Sequence, residues 1–531
     1  MRSERARGVW AAMKWLVGGA LLLGQLDCSY QPVTLPAGAG TSSGPQTPVG
    51  GSASSTGGAT TSVGGSVANG GTGQASGGNA PSGGSDANTA GSGGSAGGGA
   101  PTPTNPNLTF TKLTLHNRFL AEAVAVGDFN KDGTLDIAAG RRWYAGPFTA
   151  TYDLAAGEHP YRDGHEDLPI TGAGAEINTG VSDSWSAYAY DMNADGWDDI
   201  VQISASDMGP KVAGVPNAGN PVTPGTGNWY QNPKNTGTGI WQSFQISADM
   251  KGEHKAYADM TGDGKPEILG SCKNCNPVQT WGYWQADWAN PSAPWTFHPI
   301  TRTYDFKDGC CGWLHGLGTG DVNGDGKLDL LERSGAWIQP AAAGMPWTFY
   351  NVAFSIPEFK GIQPDIGGGN MYAYDVDGDN MNDVVTSLNS HGFGLAWFKQ
   401  GPAGMFTRQM IMNTPEEKAM YNNIAVSQLH TLWLEDMDGD GLKDIVTGKT
   451  WLAHPYATGD AGGNDPVEFY VFKLVRTPTV HFEPHLLDAD NGAQKAAGGA
   501  REFRVVDMNN DGLKDIVVAN KRGLFVYLGK P

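Results

Sequence analysis

Seven short stretches of this chain place oxygen-bearing side chains at one spacing. Asp128 opens DFNKDGTLD, Asp191 opens DMNADGWDD, Asp259 opens DMTGDGKPE and Asp321 opens DVNGDGKLD; Asp375 opens DVDGDNMND, Asp436 opens DMDGDGLKD and Asp507 opens DMNNDGLKD. Successive starts lie 63, 68, 62, 54, 61 and 71 residues apart. Oxygens at positions one, three and five converge on one point if the chain turns sharply, and calcium accepts roughly six to eight such hard oxygens at flexible geometry. Position six must tolerate a left-handed backbone, so it is Gly in every loop but one, where Asn380 stands. Position seven can offer its carbonyl, and position nine closes the site.

The candidate ligands are therefore Asp128, Asn130, Asp132, the carbonyl of Thr134 and Asp136 in the first loop, with Asp191, Asn193, Asp195 and Asp199 in the second. The third offers Asp259, Asp263 and Glu267, and the fourth Asp321, Asn323, Asp325 and Asp329. The fifth offers Asp375, Asp377, Asp379 and Asp383, the sixth Asp436, Asp438, Asp440 and Asp444, and the seventh Asp507, Asn509, Asp511 and Asp515. Positions one, three, five and nine hold 23 of the 54 acidic residues, a density that repels itself unless cations neutralise it. Up to seven Ca²⁺ are expected, moving the formal charge from −19 to about −5. The competing reading is Asx-turn chemistry without metal. It is strongest for the third loop, with Thr261 at position three and Glu267 at nine. An EF-hand is excluded, because it needs Glu at position twelve between helices. The first loop has Ala139 there, and the flanks are short β-type runs.

A second set of candidates precedes the loops. The residues five or six places ahead of each first Asp are Glu122, Trp185, Glu253/His254, His315, Asn370, His430 and Arg501. If these strands line a common axis, His254, His315 and His430 with Glu122 could ligate one transition metal. Alternatively, a histidine could act as general base, with Arg501 holding a carboxylate or developing oxyanion. The bland alternative is a wet, polar channel, and a one-residue register error would turn each strand's side chains to the other face. His391, His454 and His165-Glu166-Asp167 lie on connecting segments and read as surface. No Walker loop, dinucleotide fingerprint, G-x-S-x-G or H-E-x-x-H occurs.

Each loop joins two strands. A Trp-containing strand often follows, as in Arg142-Trp143-Tyr144 or Ala396-Trp397-Phe398, and then a fourth such as Phe406 to Met412. Four strands per unit of about 60 residues describe a propeller blade. The seventh unit ends with its third strand near Leu528, and Leu108 to Leu115 has the pattern of the missing fourth. The expected fold is all-β, a seven-bladed β-propeller with its N-terminal strand closing the last blade.

The loops make this chain resemble the FG-GAP/VCBS repeat proteins, which include the calcium-bearing propeller of integrin α chains. The Trp-Tyr strands and the histidines ahead of the loops resemble more narrowly bacterial exported proteins akin to the propeller domain of aldos-2-ulose dehydratase. The resemblance covers about 115–531 and implies the fold and calcium.

The rest of the chain sets the context. Residues 1–28 read as a signal peptide of lipoprotein type: a basic region, the apolar run Trp15 to Leu26, then Cys28 as the expected anchor. Residues 29–106 read as a Gly/Ser/Thr/Pro-rich tether, and 107–531 as the propeller. Four cysteines remain, Cys272, Cys275, Cys310 and Cys311, for two disulfides in an oxidising compartment or a four-thiolate zinc site. Net charge −19 argues against nucleic acid and anionic lipid as partners. The chain is thus expected to be exported and monomeric, touching the membrane only through its anchor. The principal functional reading is extracellular recognition of carbohydrate or a protein partner. A sugar-active lyase or dehydratase at the axis and a purely structural adhesion protein are the alternatives.

Overall fold

A computed structural model describes residues 103–531 apart from 118, 156–183, 205–225, 235–238, 273–279, 301–314, 343, 356–366, 452–459 and 492–494. The leader, most of the tether, Cys28, Cys275, Cys310, Cys311, His454 and His165–Asp167 lie outside the described residues. Cys272 is disulfide-bonded, which removes it from any thiolate zinc site.

The regular secondary structure of the described residues is almost entirely strand, with two three-residue 3-10 turns. They form five four-stranded sheets and one eight-stranded sheet. Each four-strand set repeats one order: inner strand, acidic loop, then three further antiparallel strands. In the first set these are Ala125–Gly127, Asp136–Ala139, Arg142–Ala145 and Ala150–Asp153. The eight-stranded sheet is two such sets joined by parallel pairing of Leu317–Gly320 with Asn370–Tyr374. Gly318 permits that approach, since a Cβ there would overlap the backbone of Met371.

The core lies between sets. Strand side chains alternate between faces. In Asp515–Asn520, Ile516 and Val518 pack towards the preceding set, and Val517 and Ala519 towards the first. Burial on both faces explains why such strands are near-continuously apolar. Among the described residues, buried clusters lie between neighbouring sets, and one of them joins Val517 and Val526 of the last set to Val126 and Ile137 of the first. Thr109–His116 pairs antiparallel with Gly523–Lys530, so the chain's first described strand completes its last sheet. The arrangement is a β-propeller. The tryptophans of the third strands serve this packing: Trp143 is buried and stacks on Tyr152 at 4.6 Å between ring centroids.

Candidate functional site

The acidic loops share one geometry. In the first, Asp128 accepts the backbone N–H groups of Asp132 and Gly133 at 3.1 and 3.0 Å. Gly133 has φ +86°, and Asn380, the exception at position six, has φ +67°. In all seven loops the position-nine carboxylate accepts the N–H of position two, at 2.8–3.1 Å. In all but the third it also accepts an N–H from the third strand or the residue just past it, as Asp136 does from Gly146 at 2.8 Å. Position nine, expected only to close a cation site, thus first ties each loop to its sheet. Burial pushes Asp136, Asp199, Glu267, Asp329 and Asp383 up to about 7, Asp444 to about 8 and Asp515 to about 6. Two loops, Asp375/Asp377/Asp383 and Asp436/Asp438/Asp444, bring carboxylates close enough to hold a metal ion. These are the loops with Asp at position three, and in both a third-strand lysine reaches in. Lys399 contacts Asp377 and lies 2.8 Å from Asp379; Lys473 contacts Asp438 and lies 2.9 Å from Asp440.

The second site lies where the inner strands begin, so it sits at the end of the propeller opposite the acidic loops. Glu253, His315, His391 and His430 are all buried, and one ligand atom from each lies within 4.8 Å of all the others. His315 Nε2 is 2.7 Å from Glu253 Oε2 and 3.3 Å from His391 Nε2. His430 Nε2 is 3.9 Å from Glu253 Oε2. Outer partners orient two of the rings. His391 Nδ1 meets Asp460 Oδ2 at 3.1 Å, and His430 Nδ1 meets the carbonyl of Gln428 at 3.3 Å. Both partners accept, so both Nδ1 atoms carry the proton and both Nε2 lone pairs point into the cluster. Asp460 also accepts from Gln428 Nε2 at 3.1 Å, and Lys449 donates to Gln428 Oε1 at 2.7 Å and to the Gly462 carbonyl at 2.6 Å. Three imidazole nitrogens and a carboxylate oxygen, with carbonyl and carboxylate partners behind them, suit Zn²⁺, Mn²⁺ or Fe²⁺.

Arg501 links this cluster to a second carboxylate. Its guanidinium contacts Glu253, and its Nε lies 3.5 Å from Glu122 Oε1. Glu122 also accepts from Trp185 Nε1 at 2.5 Å and lies 3.7 Å from Lys521 Nζ; the Arg501 guanidinium sits 4.4 Å from the Trp185 ring. Glu122 is therefore a partner of cations beside the cluster rather than a member of it.

His254 is a correction. It was expected among the ligands, but its Nε2 bonds the carbonyl of His430 at 2.6 Å, and Glu253 takes the inward place. Burial, then His315, pushes His254 down to about 3, so it stays neutral. The ladder from Met250–Ala258 to Glu267–Cys272 shifts register between Lys251 and Ala256, so simple alternation fails there. The correct register was nonetheless uniform: Glu122, Trp185, Glu253, His315, His430 and Arg501 all stand six places ahead of their loops. The fifth set has Gly369 there, and it contributes His391 instead, from the turn after Asp383–Ser387. His391, read as surface, is buried; its N–H bonds Asn389 Oδ1 at 2.8 Å, and Gln428 N–H bonds the Gly392 carbonyl at 2.7 Å. Nothing in its sequence spacing signals this, and the same holds for Asp460.

No family model and no curated protein matches this chain. Solved structures that it matches include an Agrocybe aegerita lectin described as recognising non-reducing terminal N-acetylglucosamine, at 17% identity over 72% of this chain and 81% of that one, TM-score 0.37. Another is the exotype rhamnogalacturonan lyase YesX, at 12% identity over 79% and 72%, TM-score 0.38. A third is a Bacillus licheniformis rhamnogalacturonan lyase PL11, at 13% identity over 79% and 75%, TM-score 0.34. At such values the likeness carries no argument here; the fold rests on the strand order and packing described above.

Proposed function

We propose that this chain is an exported, tethered β-propeller of the FG-GAP/VCBS type whose axis holds one transition metal and acts on a carbohydrate. The observation that carries the reading is the convergence of His315, His391, His430 and Glu253, with two Nε2 lone pairs held inward by Asp460 and Gln428. Buried lone pairs facing one another without a cation repel, and a metal relieves this. The metal would supply Lewis-acid polarisation of a bound oxygen. The chain's own residues orient it. Asp460 fixes the tautomer of His391, while Arg501 offsets the charges of Glu253 and Glu122. The next stretch of channel presents hydroxyl, amide and aromatic groups, among them Thr431, Asn370, Tyr372 and Trp433, a lining suited to a polyhydroxylated ring. The reaction class that fits is lyase or dehydratase chemistry, in which a proton leaves carbon beside a polarised oxygen.

Seven blades are the reading that seven acidic loops and the clusters between neighbouring sets support, with the eight-stranded sheet counted as two blades. Calcium in the loops is structural in this reading. The basic leader, its apolar run and Cys28 support export and a lipid anchor. Elemental mass spectrometry of the purified chain tests the whole. One Zn, Mn or Fe per chain beside calcium, lost in His391→Ala and His315→Ala with calcium retained, is expected. Calcium alone would return the protein to the recognition reading.

A further inference from the structure

One buried cation stands behind the histidine cluster without touching it. Lys449 directly follows the strand Asp444–Gly448 and is buried. An ammonium has three protons to donate and accepts nothing. Here all three have an acceptor: Ser427 Oγ at 3.0 Å, Gln428 Oε1 at 2.7 Å and the Gly462 carbonyl at 2.6 Å. The backbone of Lys449 is held as well, its N–H by the Glu468 carbonyl and its carbonyl by the Gly499 N–H, each at 3.0 Å. Burying a lysine this deeply is costly unless its protons are satisfied, as they are here.

Lys449 reaches Asp460 by two routes. The first runs through Gln428. Because Lys449 only donates, the amide oxygen of Gln428 faces it and the amide N–H faces the other way. That N–H meets Asp460 Oδ2 at 3.1 Å, the same oxygen that accepts from His391 Nδ1 at 3.1 Å. The second route runs through the turn that carries Asp460. Gly463 N–H bonds the Asp460 carbonyl at 3.0 Å, and Ser427 Oγ joins Lys449 on the Gly462 carbonyl, at 3.2 Å. Gly462 has φ +67°, and a Cβ there would lie 2.5 Å from Ser427 Oγ. Gln428 has a left-handed backbone too, φ +59°, with its carbonyl on His430 Nδ1 at 3.3 Å. The Gly392 carbonyl at 2.7 Å and the Thr450 N–H at 3.0 Å fix that backbone independently of Lys449.

We propose that Lys449 is a positioning residue of the metal site, which sets the tautomer of His391 through Gln428 and Asp460. This deepens the metal reading and rests on it for the ion, whereas the tautomer is a property of the metal-free chain. The relay takes its direction from its first member, which cannot accept. Without Lys449 the Gln428 amide can turn its oxygen towards Asp460. The carboxylate then loses a donor and a nearby cation, both of which favour its charged form. His391 can then carry its proton on Nε2, where it faces the cluster and excludes a metal. His430, oriented by a backbone carbonyl, stands outside the relay.

Two-bond ¹H–¹⁵N correlation spectra of the full chain, labelled at histidine and stripped of metal, test this by reading the tautomer of each ring. His391→Ala and His430→Ala assign the two signals. Both rings are expected in the Nδ1–H form. In Lys449→Met and in Gln428→Met, His391 should lose that single form while His430 keeps it. Zn²⁺ affinity, from competition with a chelator, should fall roughly ten- to hundredfold in each, and no further when Asp460→Asn is added. Lys449→Arg, which also only donates, should keep the tautomer and most of the affinity. Thermal melts identify variants that fold, and Gln428→Met decides the matter if Lys449→Met does not. A folded Lys449→Met with the parent tautomer at His391, or with the parent affinity, overturns the proposal, as do losses that add to that of Asp460→Asn. A change at His391 and His430 together reports general loosening and overturns it as well. A parent chain that binds no Zn²⁺, Mn²⁺ or Fe²⁺ yet shows the selective change at His391 supports the relay and removes the metal reading.

Discussion

Two adjacent residues, Glu253 and His254, show how little distance separates ligand from support. Glu253 turns in beside His315, and His254 turns out to the carbonyl of His430. Asp460 supports the cluster in another way, by holding a proton on His391 Nδ1. Its removal should therefore weaken metal binding without abolishing it. Asp460→Asn is expected to lower metal affinity by roughly ten- to hundredfold, the usual cost of losing such an outer partner. His391→Ala should lose the metal outright at the same concentration. A competition titration against a chelator separates the two; equal affinities for Asp460→Asn and the parent chain would count against the orienting role. His254→Ala, in contrast, should leave metal stoichiometry unchanged and lower the melting temperature.

At the scale of the element, the acidic loop is a unit with two jobs. Position nine anchors it to its sheet, and positions one, three and five carry the other oxygens of the loop. The two loops with an extra Asp at position three are also those where a third-strand lysine, Lys399 or Lys473, reaches the loop carboxylates. In four of the other loops the residue at that strand position is Ala145, Gln231, Ile338 or Leu528. The lysine thus offsets the added carboxylate. Lys399→Met should tighten calcium binding at the fifth loop, Asp377→Asn should loosen it, and Lys399→Met should tighten binding less in the Asp377→Asn background than in the parent, read by calcium titration as a double-mutant cycle. Additive single effects would refute the coupling.

The raised position-nine carboxyls give these loops a pH signature. Unfolded, such groups titrate near about 4. Folded and free of metal, they hold protons up to about 7, because burial disfavours the charged form. Stability present below pH ~4 is then lost as pH rises through ~7. Bound calcium favours the ionised form and opposes this loss. The gap in melting temperature between calcium-loaded and chelated protein should accordingly widen from pH 5.5 to 8; a constant gap would contradict it. Buried His254, pushed down to about 3, acts with the opposite sign, costing stability as pH falls below about 6.5. It does so in both forms and drops out of the difference.

At the scale of the molecule, closure matters most. The strand Thr109–His116 pairs along Gly523–Lys530, and Leu108 and Phe110 join the cluster between the sixth and seventh sets. Deleting residues 108–116 exposes an open edge and unpacks that cluster. The melting temperature should fall by several degrees with calcium present, and an unchanged melt would mean that the last sheet stands without its first strand.

Local rules made most of this architecture legible. The loops, the left-handed position six, the fourth strands and the closing strand depend on spacing, turn chemistry and alternation, which any few residues carry by themselves. The histidine site was legible only in part. Glu253, His315, His430 and Arg501 share one register six places ahead of their loops, whereas His254, one place on, turns to the carbonyl of His430. His391 and Asp460 reach the axis from segments 76 and 145 residues beyond His315. Such convergence is a property of the closed ring, because only the packing of all the sets on one another decides which distant side chains meet at the axis.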